Sequence, residues 1–138
     1  MFWNVGRREI GEAVGHLCRE HDVDVLLLAE ADASSGRLVL AINESAGPHR
    51  TYWELPCLES RVRAFTHFPA GVVTAAFDDG RVEMLNLHPP IGRPLLIVSA
   101  HLPSKLWADD EDQAYRSDGI LLIRSVVTVI GTRSSLAT

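Results

Sequence analysis

The run Val23-Asp24-Val25-Leu26-Leu27-Leu28-Ala29, closed by Glu30, constrains the fold more than any other feature of the sequence. It is apolar except for Asp24, shows no alternation, and reads as a strand covered on both faces. Ahead of it, between Glu9 and His21, Ile10, Val14, Leu17 and Cys18 recur at i, i+4, i+7 and i+8, the spacing of one helix face. Ahead of that helix, Met1-Phe2-Trp3-Asn4-Val5 is short and aromatic, reads as a first strand, and is ended by Gly6. Strand, helix and strand in this order predict a βαβ unit with a parallel pair. Gly11 and Gly15 weaken the helix intrinsically and predict its close packing on a sheet.

Farther along, Leu38, Leu40, Ala41 and Ile42 predict a second helix from about Ser34 to Ser45, stopped by Gly47-Pro48. Residues Tyr52 to Glu59 read as irregular and Val62 to His67 as a short strand. Val72 to Phe77 and Arg81 to Leu87 flank Asp78-Asp79-Gly80, a hairpin signal. Leu95 to Ala100 is another buried strand, ending at His101. Beyond Pro103 the acidic run Asp109-Asp110-Glu111-Asp112 suits the N-terminal end of a helix, and Ile120, Ile123, Val127 and Ile130 at i, i+3, i+7 and i+10 predict that helix. The β-branched run Val126 to Ile130 works against it. The class is therefore α/β with a mixed sheet and flanking helices in one domain spanning 1–138.

Composition narrows the function. The chain has 13 Lys plus Arg against 18 Asp plus Glu, a formal charge of −5, which argues against coating nucleic acid by bulk electrostatics. No apolar run reaches the ~20 residues of a membrane helix. Arg7, Arg8 and Glu9 interrupt any signal-peptide core, so a soluble, cytoplasmic domain is the expectation. Cys18 and Cys57 have no metal spacing, and Cys18 reads as core.

Polar residues at the ends of buried strands are the first candidates for chemistry in such a sheet. Asn4, Glu30 and His101 each follow an apolar run, and they converge if their strands are neighbours in one sheet. A carboxylate there suits Mg2+, an amide can donate to a phosphoryl oxygen, and an imidazole can move a proton. Each residue taken singly is more often a cap or a hydrogen-bonded loop residue; the ordered set carries the weight. Arg7 and Arg8 read as a solvated helix start, Lys105 and Arg116 as surface charge within reach of an anionic substrate, and Trp53 and Trp107 as packing or loop anchors. His16 and His21, five apart, lack the spacing of a helical zinc pair.

Three segments together resemble the endonuclease/exonuclease/phosphatase superfamily, the DNase I-like fold. They are Phe2-Trp3-Asn4-Val5, the run Asp22 to Glu30, and Leu96-Ile97-Val98-Ser99-Ala100-His101-Leu102-Pro103-Ser104-Lys105. The resemblance implies a four-layer α/β sandwich, of which this sequence covers the N-terminal half. It also implies a phosphate-site Asn4, a Glu30 that binds Mg2+ or Mn2+, a His101 near the scissile phosphate, and a substrate contact from Ser104; Lys105 beside it is a substrate-binding candidate on its charge alone. The family's later Gly-Asp-x-Asn and Ser-Asp-His motifs, which activate water, do not occur in this sequence. The expected activity is metal-dependent hydrolysis of a nucleic acid or another phosphodiester or phosphomonoester. The alternative is an inactive, truncated half-domain that self-associates or pairs with a chain carrying the second half. A nucleotide-binding module is disfavoured, since no Gly-rich loop follows the first strand.

Overall fold

The computed structural model describes residues 1–56, 61–80, 82–101 and the backbone of 125–131. Strand β1 (Phe2–Asn4) leads through helix α1 (Gly11–Glu20) into β2 (Val25–Ala29), and α2 (Ser35–Ala46) follows. Strands β3 (Trp53–Glu54) and β4 (Val62–Thr66) complete a first sheet of order β1-β2-β4-β3, with β1 and β2 parallel and the remaining pairs antiparallel. A second, wholly antiparallel sheet runs β5 (Val73–Asp78), β6 (Val82–Leu87), β7 (Leu95–His101) and β8 (Ser125–Gly131). The fold is mixed α/β, with two sheets and two helices among the described residues.

Strand β2 is the centre of both cores. Leu26 and Leu28 point to the helices and pack with Val14, Cys18, Leu38 and Ile42. Val25, Leu27 and Ala29 point the other way, with Val62 and Ala64, onto Val73, Leu85 and Ile97 of the second sheet. Helices, first sheet and second sheet thus form three layers, and every residue of β2 is buried, as its unbroken apolarity predicts. Each of its leucines contributes about 2 kcal/mol relative to an exposed position.

Four expectations are corrected. The glycines of α1 face α2, not a sheet: a Cβ on Gly15 would lie 2.5 Å from the Ile42 carbonyl oxygen, and one on Gly11 2.6 Å from the Ala41 Cβ. Residues 53–54, expected to be irregular, pair with β4. Asn4 and Glu30 belong to the first sheet and His101 to the second, so the strands they end are not neighbours in one sheet. The helix expected through Val127 and Ile130 is instead β8, in register with β7 from His101↔Ser125 to Leu95↔Gly131. Its β-branched run resists helix and suits a ladder, and the apolar β7 offers the partner. Ile120 and Ile123 of that expected helix lie outside the described residues, as do Cys57, Trp107, Arg116 and the run Asp109 to Asp112.

Candidate active site

Asn4 is the last residue of β1, Glu30 the first after β2, and His101 the last of β7. Parallel pairing of β1 with β2 sets Asn4 beside Ala29, one residue from Glu30. In strict alternation Glu30 would share the helix-facing side of Leu26 and Leu28. Its backbone breaks that alternation with φ +57°, the left-handed region that side chains adopt only under constraint. Two neighbours hold it there: the Glu30 N–H donates to the Arg61 carbonyl at 3.2 Å, and the Arg7 N–H donates to the Glu30 carbonyl at 2.9 Å.

The carboxylate so aimed collects the other two residues. Asn4 Nδ2 donates to Glu30 Oε1 at 3.2 Å, and His101 Nε2 lies 3.4 Å from the same oxygen. Asn4 Oδ1 accepts the Gly6 N–H at 3.0 Å, which fixes the orientation of the amide. Glu30 Oε2 has no hydrogen bond or ion pair among the described residues. The side chain of His101 is only 6% exposed and that of Glu30 34%, so the imidazole forms the floor and the carboxylate meets solvent. Burial holds the His101 pKa below its ordinary value, Glu30 pulls it up, and the positive charge of Arg61 pushes it down again.

The loop after Glu30 is clamped by a residue that sequence reasoning missed. Arg63 grips Glu54 with two hydrogen bonds, of 2.6 and 2.9 Å, while its third nitrogen donates to the carbonyls of Ala31 and Ala33 at 3.1 and 2.5 Å. Burial pushes the Glu54 carboxyl up, but the Arg63 fork and a hydrogen bond with Ser35 pull it further down, and the net lies below the usual carboxylate range.

A second feature also went unpredicted. Glu83, 1% exposed, and Ser99, equally buried, stand opposite each other on β6 and β7 on the inward face that His101 shares. They form a polar row running from the site into the core between the sheets. Its signal was available, because Glu83 sits at the same parity as the core residue Leu85.

Of the sequence-predicted site residues, the structure brings together Asn4, Glu30 and His101; Ser104 and Lys105 lie outside the described residues. Among the described residues no three His, Cys, Asp or Glu side chains are grouped to hold a metal. Glu30 offers one free carboxylate oxygen, with the Asn4 amide and the His101 imidazole turned to its other oxygen; a single carboxylate fits Mg2+ or Mn2+ keeping most of its waters and not a closed protein cage. A separate cavity of about 190 Å3 lies on the helix side, lined by Val5, Arg8, Ile10, Leu28 and Leu38 among others, and includes neither Glu30 nor His101. No helix among the described residues is long and apolar enough to cross a membrane. No family model, curated protein or solved structure matches the chain.

Proposed function

We propose that this chain carries the metal- and phosphate-binding part of a metal-dependent phosphoester hydrolase, built on the first half of a DNase I-like four-layer sandwich. The observation that carries the reading is the meeting of Asn4 and His101, from different sheets, on one oxygen of Glu30. The helix layer and two facing sheets supply three of the four layers such a sandwich contains.

Glu30 would hold Mg2+ or Mn2+ through its free oxygen. When bound, the ion supplies Lewis-acid polarisation of a phosphoryl oxygen. Asn4, its amide oriented by the Gly6 N–H, keeps a second Nδ2 hydrogen for a non-bridging oxygen. His101, biased towards the neutral form, can donate one hydrogen bond from its floor position and exchange a proton with a leaving oxygen. Activation of water falls in the family to motifs that these 138 residues do not contain. The chain by itself should therefore bind metal and phosphate well and turn over slowly, about 10²–10⁴-fold below a site with its base. The acidic balance and the single Lys favour small or single-stranded phosphoesters over tightly held duplex.

A second reading, self-association or pairing with a second-half chain, is favoured by the outer face of the second sheet. Phe77, Met84 and Val98 form a cross-strand apolar row there, and Phe77 is 48% exposed. Hydrolysis of bis-p-nitrophenyl phosphate with and without Mg2+, together with light scattering, separates the two. A slow, Mg2+-dependent rate lost in Glu30→Ala supports the hydrolase; a concentration-dependent mass with no metal-dependent rate supports the second reading.

A further inference from the structure

The arginines that hold Glu30 in its left-handed conformation differ in what their side chains do. Arg7, which donates its N–H to the Glu30 carbonyl, sends its guanidinium to Asp32 at 3.5 Å. Arg61, whose carbonyl accepts the Glu30 N–H, is exposed, and its guanidinium has no hydrogen bond or ion pair among the described residues. Its backbone is pinned twice, since its own N–H also faces the Gly80 carbonyl at 3.5 Å. The cation is therefore carried by a backbone fixed directly beside that of Glu30.

We infer that Arg61 is the residue that receives the terminal phosphate of the ligand at the Asn4–Glu30–His101 site, and that it makes the site favour a phosphate dianion over a diester. The inference rests on the metal-dependent reading above. A divalent ion on Glu30 leaves one net positive charge and Arg61 adds a second, which a phosphate dianion offsets more fully than a diester monoanion. A monoester keeps three terminal oxygens, so one on the metal leaves two for the planar guanidinium to grip, whereas a diester keeps two and leaves the guanidinium one. Arg8 lines the helix-side cavity and Arg63 is committed to Glu54 and the 31–33 loop, so neither competes for the role.

The test is a titration of the full chain with phenyl phosphate and with diethyl phosphate in saturating Mn2+, with Mn2+ affinity measured separately by water-proton relaxation. Wild type should bind phenyl phosphate more tightly than diethyl phosphate. Arg61→Ala should weaken phenyl phosphate about tenfold, leave diethyl phosphate nearly unchanged and keep Mn2+ affinity, with Arg61→Lys recovering part of the loss. Arg8→Ala should match wild type. If Arg61→Ala binds phenyl phosphate like wild type while Glu30→Gln loses Mn2+, the role of Arg61 is overturned and the metal site stands. If wild type binds no Mn2+, the metal reading fails and takes the inference with it.

Discussion

His101 Nε2 lies 3.4 Å from Oε1 of Glu30, and this contact joins the end of a strand in one sheet to the end of a strand in the other. It exists because Glu30 leaves the alternation of β2 and takes φ +57°. A non-glycine residue there is strained, and the strain sits at the site.

Replacing Glu30 with glycine and with alanine separates that strain from the loss of the carboxylate. Both substitutions remove the same charged group, but only glycine adopts the left-handed region freely. Glu30→Gly should be more stable than Glu30→Ala by about 1 kcal/mol in urea denaturation. Equal stabilities, or a more stable alanine variant, would show that the backbone is not strained there.

The crossing of α1 and α2 gives the next prediction. Alanine is the better helix former by about 1 kcal/mol, yet a methyl on Gly15 meets the backbone of α2. Gly15→Ala should therefore cost about 1–3 kcal/mol from overpacking. Gly36→Ala, in the first turn of α2 with nothing within 4 Å, should instead be neutral or slightly stabilising. Thermal or urea unfolding of the two variants checks the contrast.

Tyr52 sets an alkaline limit. Burial, with the Cys18 thiol beside it, pushes its phenol up from 10.0 to about 12, against the lowering effect of Arg50, and the hydroxyl donates to the Val23 carbonyl. Since the folded pKa is the higher one, its contribution is complete below pH 10 and is lost as the pH rises towards 12. Stability should fall by on the order of 2 kcal/mol across that range, and Tyr52→Phe should flatten much of the fall. Cys18, also raised by burial, should leave a smaller slope starting at lower pH. An unchanged pH profile in Tyr52→Phe would remove Tyr52 from the account.

Arg63 is predicted to matter through the loop it holds. Its side chain and that of Glu54 are only 13% and 17% exposed, so Arg63→Ala leaves a largely buried carboxylate and two carbonyls without their donor. A loss of about 2–3 kcal/mol should follow. Double substitution to Arg63→Met with Glu54→Leu should recover part of it, measured by the same unfolding curves.

How much of this was legible in the sequence depended on how local the signal was. The βαβ start, both helices and the hairpin follow from short-range periodicity, and their bounds shift by only a few residues. Residues 125–131 misled because Val127 and Ile130 fit a helical spacing while their β-branching favoured the ladder that β7 provides. Asn4, Glu30 and His101 were legible as strand-end polar residues, but their meeting across two sheets was not, since it depends on a left-handed turn at a glutamate. Arg61 and Arg63 carry no local signature, because what defines each is a backbone or a loop distant in sequence.

The central claim is that Glu30 holds a divalent ion beside Asn4 and His101. Its most direct test is paramagnetic broadening by Mn2+ of the Asn4 side-chain amide and the His101 ring resonances in the labelled full chain. The account predicts selective broadening of both at substoichiometric Mn2+, reversed by excess Mg2+ and abolished in Glu30→Gln with the fold retained. Broadening that spares both residues, or that persists unchanged in Glu30→Gln, would contradict it.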